Sequence, residues 1–198
     1  MKELVVISGK GGTGKTSITA AFACLAQNAV FADCDVDAAD LHLILEPHIK
    51  QTSDFSGGKR AFIHSEKCNS CGACADMCRF DAIHYDGPGN DNGEKTYIID
   101  LISCEGCKVC VEFCPVGAIA FEDVINGQWF TSDTRFGPMV HAKLGIAEDN
   151  SGKLVTLIRQ KAQEIADQQK RDLLIEYTGG EIAERVKKVW REVTYVLG

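Results

Sequence analysis

The sequence predicts an α/β fold built on a parallel sheet and interrupted by a smaller, cysteine-rich α+β unit. Three observations predict it. Residues 4–8 (LVVIS) form a continuous apolar run, followed by the glycine-rich string GKGGTGKT and then by a helical pattern from Ser17 to Gln27. Eight of the ten cysteines fall in two runs, Cys68, Cys71, Cys74, Cys78 and Cys104, Cys107, Cys110, Cys114, each spaced C-x-x-C-x-x-C-x-x-x-C. Residues 61–85 (AFIHSEKCNSCGACADMCRFDAIHY) align without a gap on 97–121 (YIIDLISCEGCKVCVEFCPVGAIAF), which brings all four cysteines of one run onto those of the other.

An unbroken apolar run is the pattern of a strand buried on both faces. The string after it fits G-x-x-x-x-G-K-[ST] and stands between a strand and a helix, the context that motif requires. Glycines let backbone N–H groups turn inward around phosphate oxygens, and the helix N-terminus adds partial positive charge. The expected nucleotide-binding residues are therefore Gly9, Lys10, Gly11, Gly12, Thr13, Gly14, Lys15, Thr16 and Ser17. Lys15 is expected to reach the β- and γ-phosphates of ATP, and Thr16 to hold Mg²⁺.

The string KGGTGKTS, with its extra Lys10, resembles the deviant Walker A motif of the MinD/ParA-type P-loop ATPases, a family that includes the nitrogenase iron protein. The resemblance implies a nucleotide-dependent homodimer in which Lys10 reaches the partner's phosphates. Residues 33–41 (DCDVDAADL) are similar to that family's D-x-D-x-x-x-x-N-L segment, with Asp40 where the family has Asn. By that match Asp35 orients the attacking water and Asp33 supports the Mg²⁺ shell. The implied catalytic set is Lys10, Lys15 and Asp35.

The cysteine spacing is that of bacterial two-cluster ferredoxins, in which the fourth cysteine of each run ligates the other cluster. The resemblance assigns one [4Fe–4S] cluster to Cys68, Cys71, Cys74 and Cys114, and the other to Cys104, Cys107, Cys110 and Cys78. Zinc sites pair two C-x-x-C knuckles instead, and a disulfide framework suits a secreted chain. Ile63, Ile83, Ile99, Ile119, Met77 and Phe113 are expected to wall the clusters from water. Arg79 stands where the second run has Pro115, which places a charge beside a cluster.

Bulk properties narrow the function classes. The 198 residues are 45% hydrophobic and 25% charged, as in an ordinary globular protein. A net charge of −7 argues against a general nucleic-acid grip. No apolar run reaches the length of a membrane span. The N-terminal MKELVVI reads as a strand and not as a signal peptide, so a cytoplasmic setting is expected.

The remaining elements follow in order. Residues 29–33 (AVFAD) read as a second strand, with Cys24 and Cys34 as core. Thr52–Lys59 (TSDFSGGK) reads as a polar junction into the insert, and Asp86–Lys95 as an exposed turn or hairpin tip. Residues 139–147 suggest a strand. A helix is expected from about Gly152 to Gln168, with Ser151 as N-cap and Leu154, Val155, Leu157, Ile158, Ala162, Ile165 and Ala166 as its apolar stripe. His141 is expected to be structural, and Arg135 has no assigned role. Residues 172–175 read as a further strand, and 181–196 as an amphipathic helix. The domain plan is a P-loop ATPase domain in two parts, 1–59 and 125–198, flanking a ferredoxin insert at 60–124.

After Ile175 the resemblance breaks. The MinD-type family continues with Asp-Gly-Pro-Pro-Gly, its Walker B and switch II element, whereas this chain has Glu176-Tyr177-Thr178-Gly179-Gly180 and ends soon afterwards. The nucleotide domain is expected to be smaller than the family's, with no second Mg²⁺ carboxylate unless Glu176 serves. ATP binding is thus expected and hydrolysis is left undecided. Three functions compete: nucleotide-gated electron transfer to a redox protein partner, a ferredoxin-type carrier on a vestigial P-loop scaffold, and an iron–sulfur or cofactor assembly factor.

Overall fold

The computed structural model describes residues 1–7, 12–36, 39–90, 92–145 and 151–178. Gly9, Lys10, Gly11 and the expected helix at 181–196 lie outside the described residues. The chain divides into two compact units, Met1–Phe55 with Gly127–Gly198, and Ser56–Asn126.

In the first unit, strands β1 (Lys2–Ile7), β2 (Ala29–Asp33), β3 (His48–Phe55), β8 (Gly127–Thr134), β9 (Gly137–Leu144) and β10 (Leu173–Thr178) form one sheet in the order β1-β10-β2-β9-β8-β3. β1, β10, β2 and β9 run parallel, whereas β8 is antiparallel to both β9 and β3. The sheet is therefore mixed, not parallel as the sequence led us to expect. Its two additions are hairpin-type neighbours, which need no crossover helix.

Helices cover both faces. On one face α1 (Lys15–Leu25) and α2 (Leu41–Leu45) pack Ala23, Leu41 and Leu45 against Phe31, Met139, Ile175 and Tyr177. On the other, α5 (Ser151–Gln168) packs Leu154, Val155, Ile158, Ala162 and Ala166 against Val30, Ala32, Val140 and Leu174. Alternate residues of β2 and β10 thus feed opposite cores, as the two-residue strand period requires. β2 is buried throughout because it lies inside the sheet with a helix on each side.

Three local expectations are corrected. Thr52–Phe55 belongs to edge strand β3, where polar side chains face water and Lys50 pairs with Asp133 at 2.8 Å; a solvated edge reads as a loop. Cys24 is exposed, while Cys34 is buried. α5 begins at Ser151, one residue ahead of the expected start at about Gly152. His141 is buried, hydrogen-bonds Ser132 Oγ through Nε2 at 2.9 Å and stacks on Phe130; burial pushes its pKa down to about 4. Arg135 lies over the Phe136 ring.

The second unit repeats itself, as the aligned halves predict. Strand β4 (Gly58–Ile63) begins two residues ahead of the expected boundary at 60 and pairs with β7 (Ile119–Val124). β5 (Ile83–Gly89) pairs with β6 (Lys95–Ile99) as a hairpin. Helices α3 (Ala73–Asp76) and α4 (Val109–Glu112) lie 36 positions apart, the offset of the repeat. The cross-strand pairs Ile63–Ile119 and Ile83–Ile99 are images of each other under that shift. Each sheet therefore takes one strand from each half. Neither half is complete alone.

Two buried acids of the first unit carry tests. Glu176 is 1% exposed, and Arg159 Nε sits 2.8 and 2.9 Å from its two carboxylate oxygens. Arg159→Met leaves that carboxylate buried without its cation, so the expected loss of stability at neutral pH is about 3 kcal/mol, read by urea denaturation. Asp33 is 1% exposed, and burial pushes its pKa up from 3.8 to about 8. The folded chain holds this proton more tightly than the unfolded chain does. The resulting stabilisation is full below about pH 4 and is lost as pH rises through about 8. Asp33→Asn should therefore lose less stability than the parent between these limits; parallel stability–pH curves would refute the assignment.

Candidate metal centre and phosphate loop

The first two cysteines of each run lie on a loop, the third lies in the one-turn helix that follows and the fourth just beyond that helix. The loops take their shape from left-handed residues at matched places: Ser70, Gly72 and Asp81 in the first half, and Gly106, Lys108 and Gly117 in the second. Successive turns of this kind point backbone N–H groups into one concavity, the arrangement that receives anionic iron–sulfur groups. The thiol of Cys114 already accepts a hydrogen bond from the Ala118 N–H at 3.2 Å. At Gly106 a Cβ would collide with the carbonyl oxygen of Lys59, so glycine is the residue that permits the loop to approach β4.

The two runs are interleaved. A small cavity is lined by Cys104, Cys107 and Cys110 from the second run and by Cys78 from the first. Ala61, Ala82, Ile83 and Ile99 supply its apolar wall. The complementary group forms around Cys74, which is 8% exposed. Its thiol is pushed up to about 11 by burial and by the charges of Cys68 and Cys114. Burial likewise raises the Cys110 thiol, with Cys104, Cys107 and Cys78 as its charged neighbours. Cys78 of the first run therefore stands with Cys104, Cys107 and Cys110 of the second, and Cys114 of the second with Cys68 and Cys74 of the first.

All ten cysteines are free thiols. Among the described residues no three His, Cys, Asp or Glu side chains converge as the ligands of a single ion do. The four thiols at the cavity surround a space instead. Four sulfur donors, an apolar wall and inward-turned amides fit a four-iron cluster. Thiols kept protonated by burial and by their neighbours must release protons on loading, so metal binding is proton-coupled.

The expected shielding is corrected in part. Ile83, Ile99 and Ile119 are buried among the cysteines, with Ile63 packed against them. Met77 lines the cavity but is 39% exposed, and Phe113 is 56% exposed. Both stand in the turn that ends a one-turn helix, which leaves the side chain partly in water.

In the first unit, Gly12 and Gly14 are left-handed, and α1 starts directly after Gly14. Lys15 Nζ lies 3.1 Å from Asp35 Oδ2 and 5.3 Å from the Tyr177 ring centroid. Thr16 Oγ1 shares a 2.9 Å hydrogen bond with the Tyr177 hydroxyl. The Asp35 N–H donates to Asp33 Oδ1 at 3.2 Å, while Asp33 Oδ2 is buried and meets no hydrogen-bond partner among the described residues. Lys15, Thr16, Asp33 and Asp35 are thus gathered beside the ends of β2 and β10. Thr13 and Ser17 are exposed on the neighbouring turn.

Tyr177 is the residue that sequence reasoning missed. Its signal was position, one step beyond Glu176 on a strand whose alternate faces meet different helices. That step also corrects the idea that Glu176 serves the Mg²⁺ site: Glu176 faces α5 and Arg159, and Tyr177 faces α1.

No described helix is long and apolar enough to cross a membrane. A model of the 4Fe-4S dicluster domain matches residues 67–118. The chain is 38% identical over 84 residues to an uncharacterized protein, MJ0578, of Methanocaldococcus jannaschii. That match covers 41% of this chain and 30% of the archaeal protein, so the chain aligns with less than a third of that relative's length. The cysteine spacing, the doubled fold and the matched domain lead to one conclusion: residues 67–118 are an iron–sulfur, ferredoxin-like region.

Proposed function

We propose that the chain is an electron carrier with two [4Fe–4S] clusters, joined to a P-loop nucleotide-binding unit whose Mg·ATP occupancy governs electron delivery to a redox protein partner. The observation that carries the reading is the meeting of Cys78 with Cys104, Cys107 and Cys110 around one cavity. Cys68, Cys71, Cys74 and Cys114 hold one cluster, and Cys104, Cys107, Cys110 and Cys78 the other. When bound, the clusters supply one-electron redox chemistry. The protein's part is to hold eight thiolates, to direct amide N–H groups at them and to exclude water with Ile83, Ile99 and Ile119.

The nucleotide half of the reading rests on Lys15, Thr16 and the two acids. Lys15 is held by Asp35 and is free to exchange that carboxylate for phosphate oxygens. The Thr16 hydroxyl and the buried Asp33 Oδ2 are hard oxygen donors of the kind Mg²⁺ takes directly or through water. Tyr177, holding the Thr16 hydroxyl, brings no carboxylate to this position, which favours nucleotide binding over fast hydrolysis. Lys10 from a second copy completes the phosphate site in the homodimer that the resemblance implies. The protein acts in the cytoplasm in this reading.

The crossed ligation is tested by paired cysteine removal in anaerobically reconstituted protein. Cys78→Ser with Cys104→Ser removes two ligands of one site and should leave about four irons per chain. Cys78→Ser with Cys68→Ser damages both sites and should leave fewer. The reverse order would mean that each run serves its own cluster.

Calorimetry with Mg·ATP tests the other half. The loaded chain should bind, and Lys15→Ala should abolish the binding heat. An intact eight-iron chain that ignores nucleotide would leave a carrier on a vestigial scaffold.

A further inference from the structure

The repeat is nearly symmetric in backbone, so its side-chain exceptions are informative. Position 61 of the first half matches position 97 of the second: Ala61 against Tyr97. Position 72 matches 108: Gly72 against Lys108, both in the left-handed conformation. These two exceptions are spatially linked. The Tyr97 hydroxyl lies 2.9 Å from where a Cβ on Gly72 would stand, so the tyrosine covers the first loop only because residue 72 is glycine. The second loop has alanine where the first has this ring, and Phe80 at its rim is exposed. Ala61 lines the cavity, and Lys108 at its edge is exposed.

Gly72 is buried and Lys108 exposed; Cys74 is buried and its counterpart Cys110 only half-buried, while Cys71 and Cys107 are both exposed. Tyr97 packs in the core around the thiols and meets Tyr85 ring to ring at 5.1 Å, which fixes its position. The rim of the uncovered cavity carries exposed Met77, Phe80, Cys107 and Lys108.

We propose that the two cluster sites are functionally unequal: Tyr97 covers the Cys74 side of the site of Cys68, Cys71, Cys74 and Cys114, and electrons enter and leave the chain at the less covered site of Cys78, Cys104, Cys107 and Cys110. The proposal rests on the two-cluster reading above. Tyr97 is a positioning residue in it, acting by shielding one site from solvent. The shielded cluster then exchanges electrons through its less covered neighbour. Electron tunnelling depends on approach distance, so a donor or acceptor reaches the cluster that no such ring covers. Solvent exposure is also among the factors that set cluster potential.

The test uses the full chain, reconstituted anaerobically and accepted only with eight irons; a shortfall in the parent protein would defeat the two-cluster reading itself, apart from this proposal. Proton NMR resolves hyperfine-shifted cysteine signals, and a soluble gadolinium chelate broadens those near the surface. Signals of Cys78, Cys104, Cys107 and Cys110 should broaden at lower chelate concentration than those of the other four. Tyr97→Ala should remove the difference, while Tyr97→Phe, which keeps the ring, should preserve it. Equal broadening in the parent, or a difference that survives Tyr97→Ala, would overturn the proposal.

Stopped-flow reduction by reduced methyl viologen supplies the second measurement. Ala61→Tyr combined with Lys108→Gly copies the covered loop onto the less covered one and should slow reduction. Tyr97→Ala should leave the rate at or above that of the parent. An unchanged rate in the double variant with eight irons bound would overturn the proposal. If that variant fails to load iron, slower reduction of Tyr97→Ala would do so.

Discussion

The iron–sulfur unit depends on reciprocity between its halves. Cys78 of the first run joins Cys104, Cys107 and Cys110 of the second, Cys114 of the second joins Cys68 and Cys74 of the first, and each small sheet takes one strand from each half. A unit of about seventy residues can bury only a modest apolar core. Metal ligation adds folding energy that such a core lacks, because the ligand set is assembled only when the chain is folded. The constraint explains why the matched backbone turns recur at a fixed offset: a loop that held its thiols differently would spoil the site of the other half.

The sheet unit follows different physics. Its order comes from two apolar cores on opposite faces, fed by alternating residues of the same strands. Along β10, Glu176 and Tyr177 are neighbours in sequence and belong to different environments, one an ion pair with Arg159, the other the threonine at the start of α1. Acids are concentrated at the end of β2, where one oxygen of Asp33 meets no hydrogen-bond partner among the described residues and Asp35 meets Lys15. A buried oxygen without a partner is costly, and such costs gather where a ligand can relieve them.

Much of this was legible in the sequence. The span of β2 and the apolar stripe of α5 follow directly from periodicity, and the doubled unit follows from the gapless alignment. What was not legible has identifiable causes. β3 is a solvated edge strand, and its polar residues resemble a junction. The antiparallel strands β8 and β3 carry no signal of direction. Cys24 lies on a helical surface, and Met77 and Phe113 in turns that end one-turn helices; their orientation is set by packing and not by residue type. The mismatch of Ala61 and Tyr97 was visible in the aligned halves, but its meaning required knowing that residue 72 lies beneath the ring.

Phe55 and Gly127 face each other as a cross-strand pair in the first unit, and these are the residues where the chain departs from the sheet and returns to it. Departure and return at one rung mean that no strand order or crossover changes when the intervening segment is present. The second unit thus takes the place that a connecting bend would hold in a β3–β8 hairpin, and the pairing of the two strands does not depend on its length.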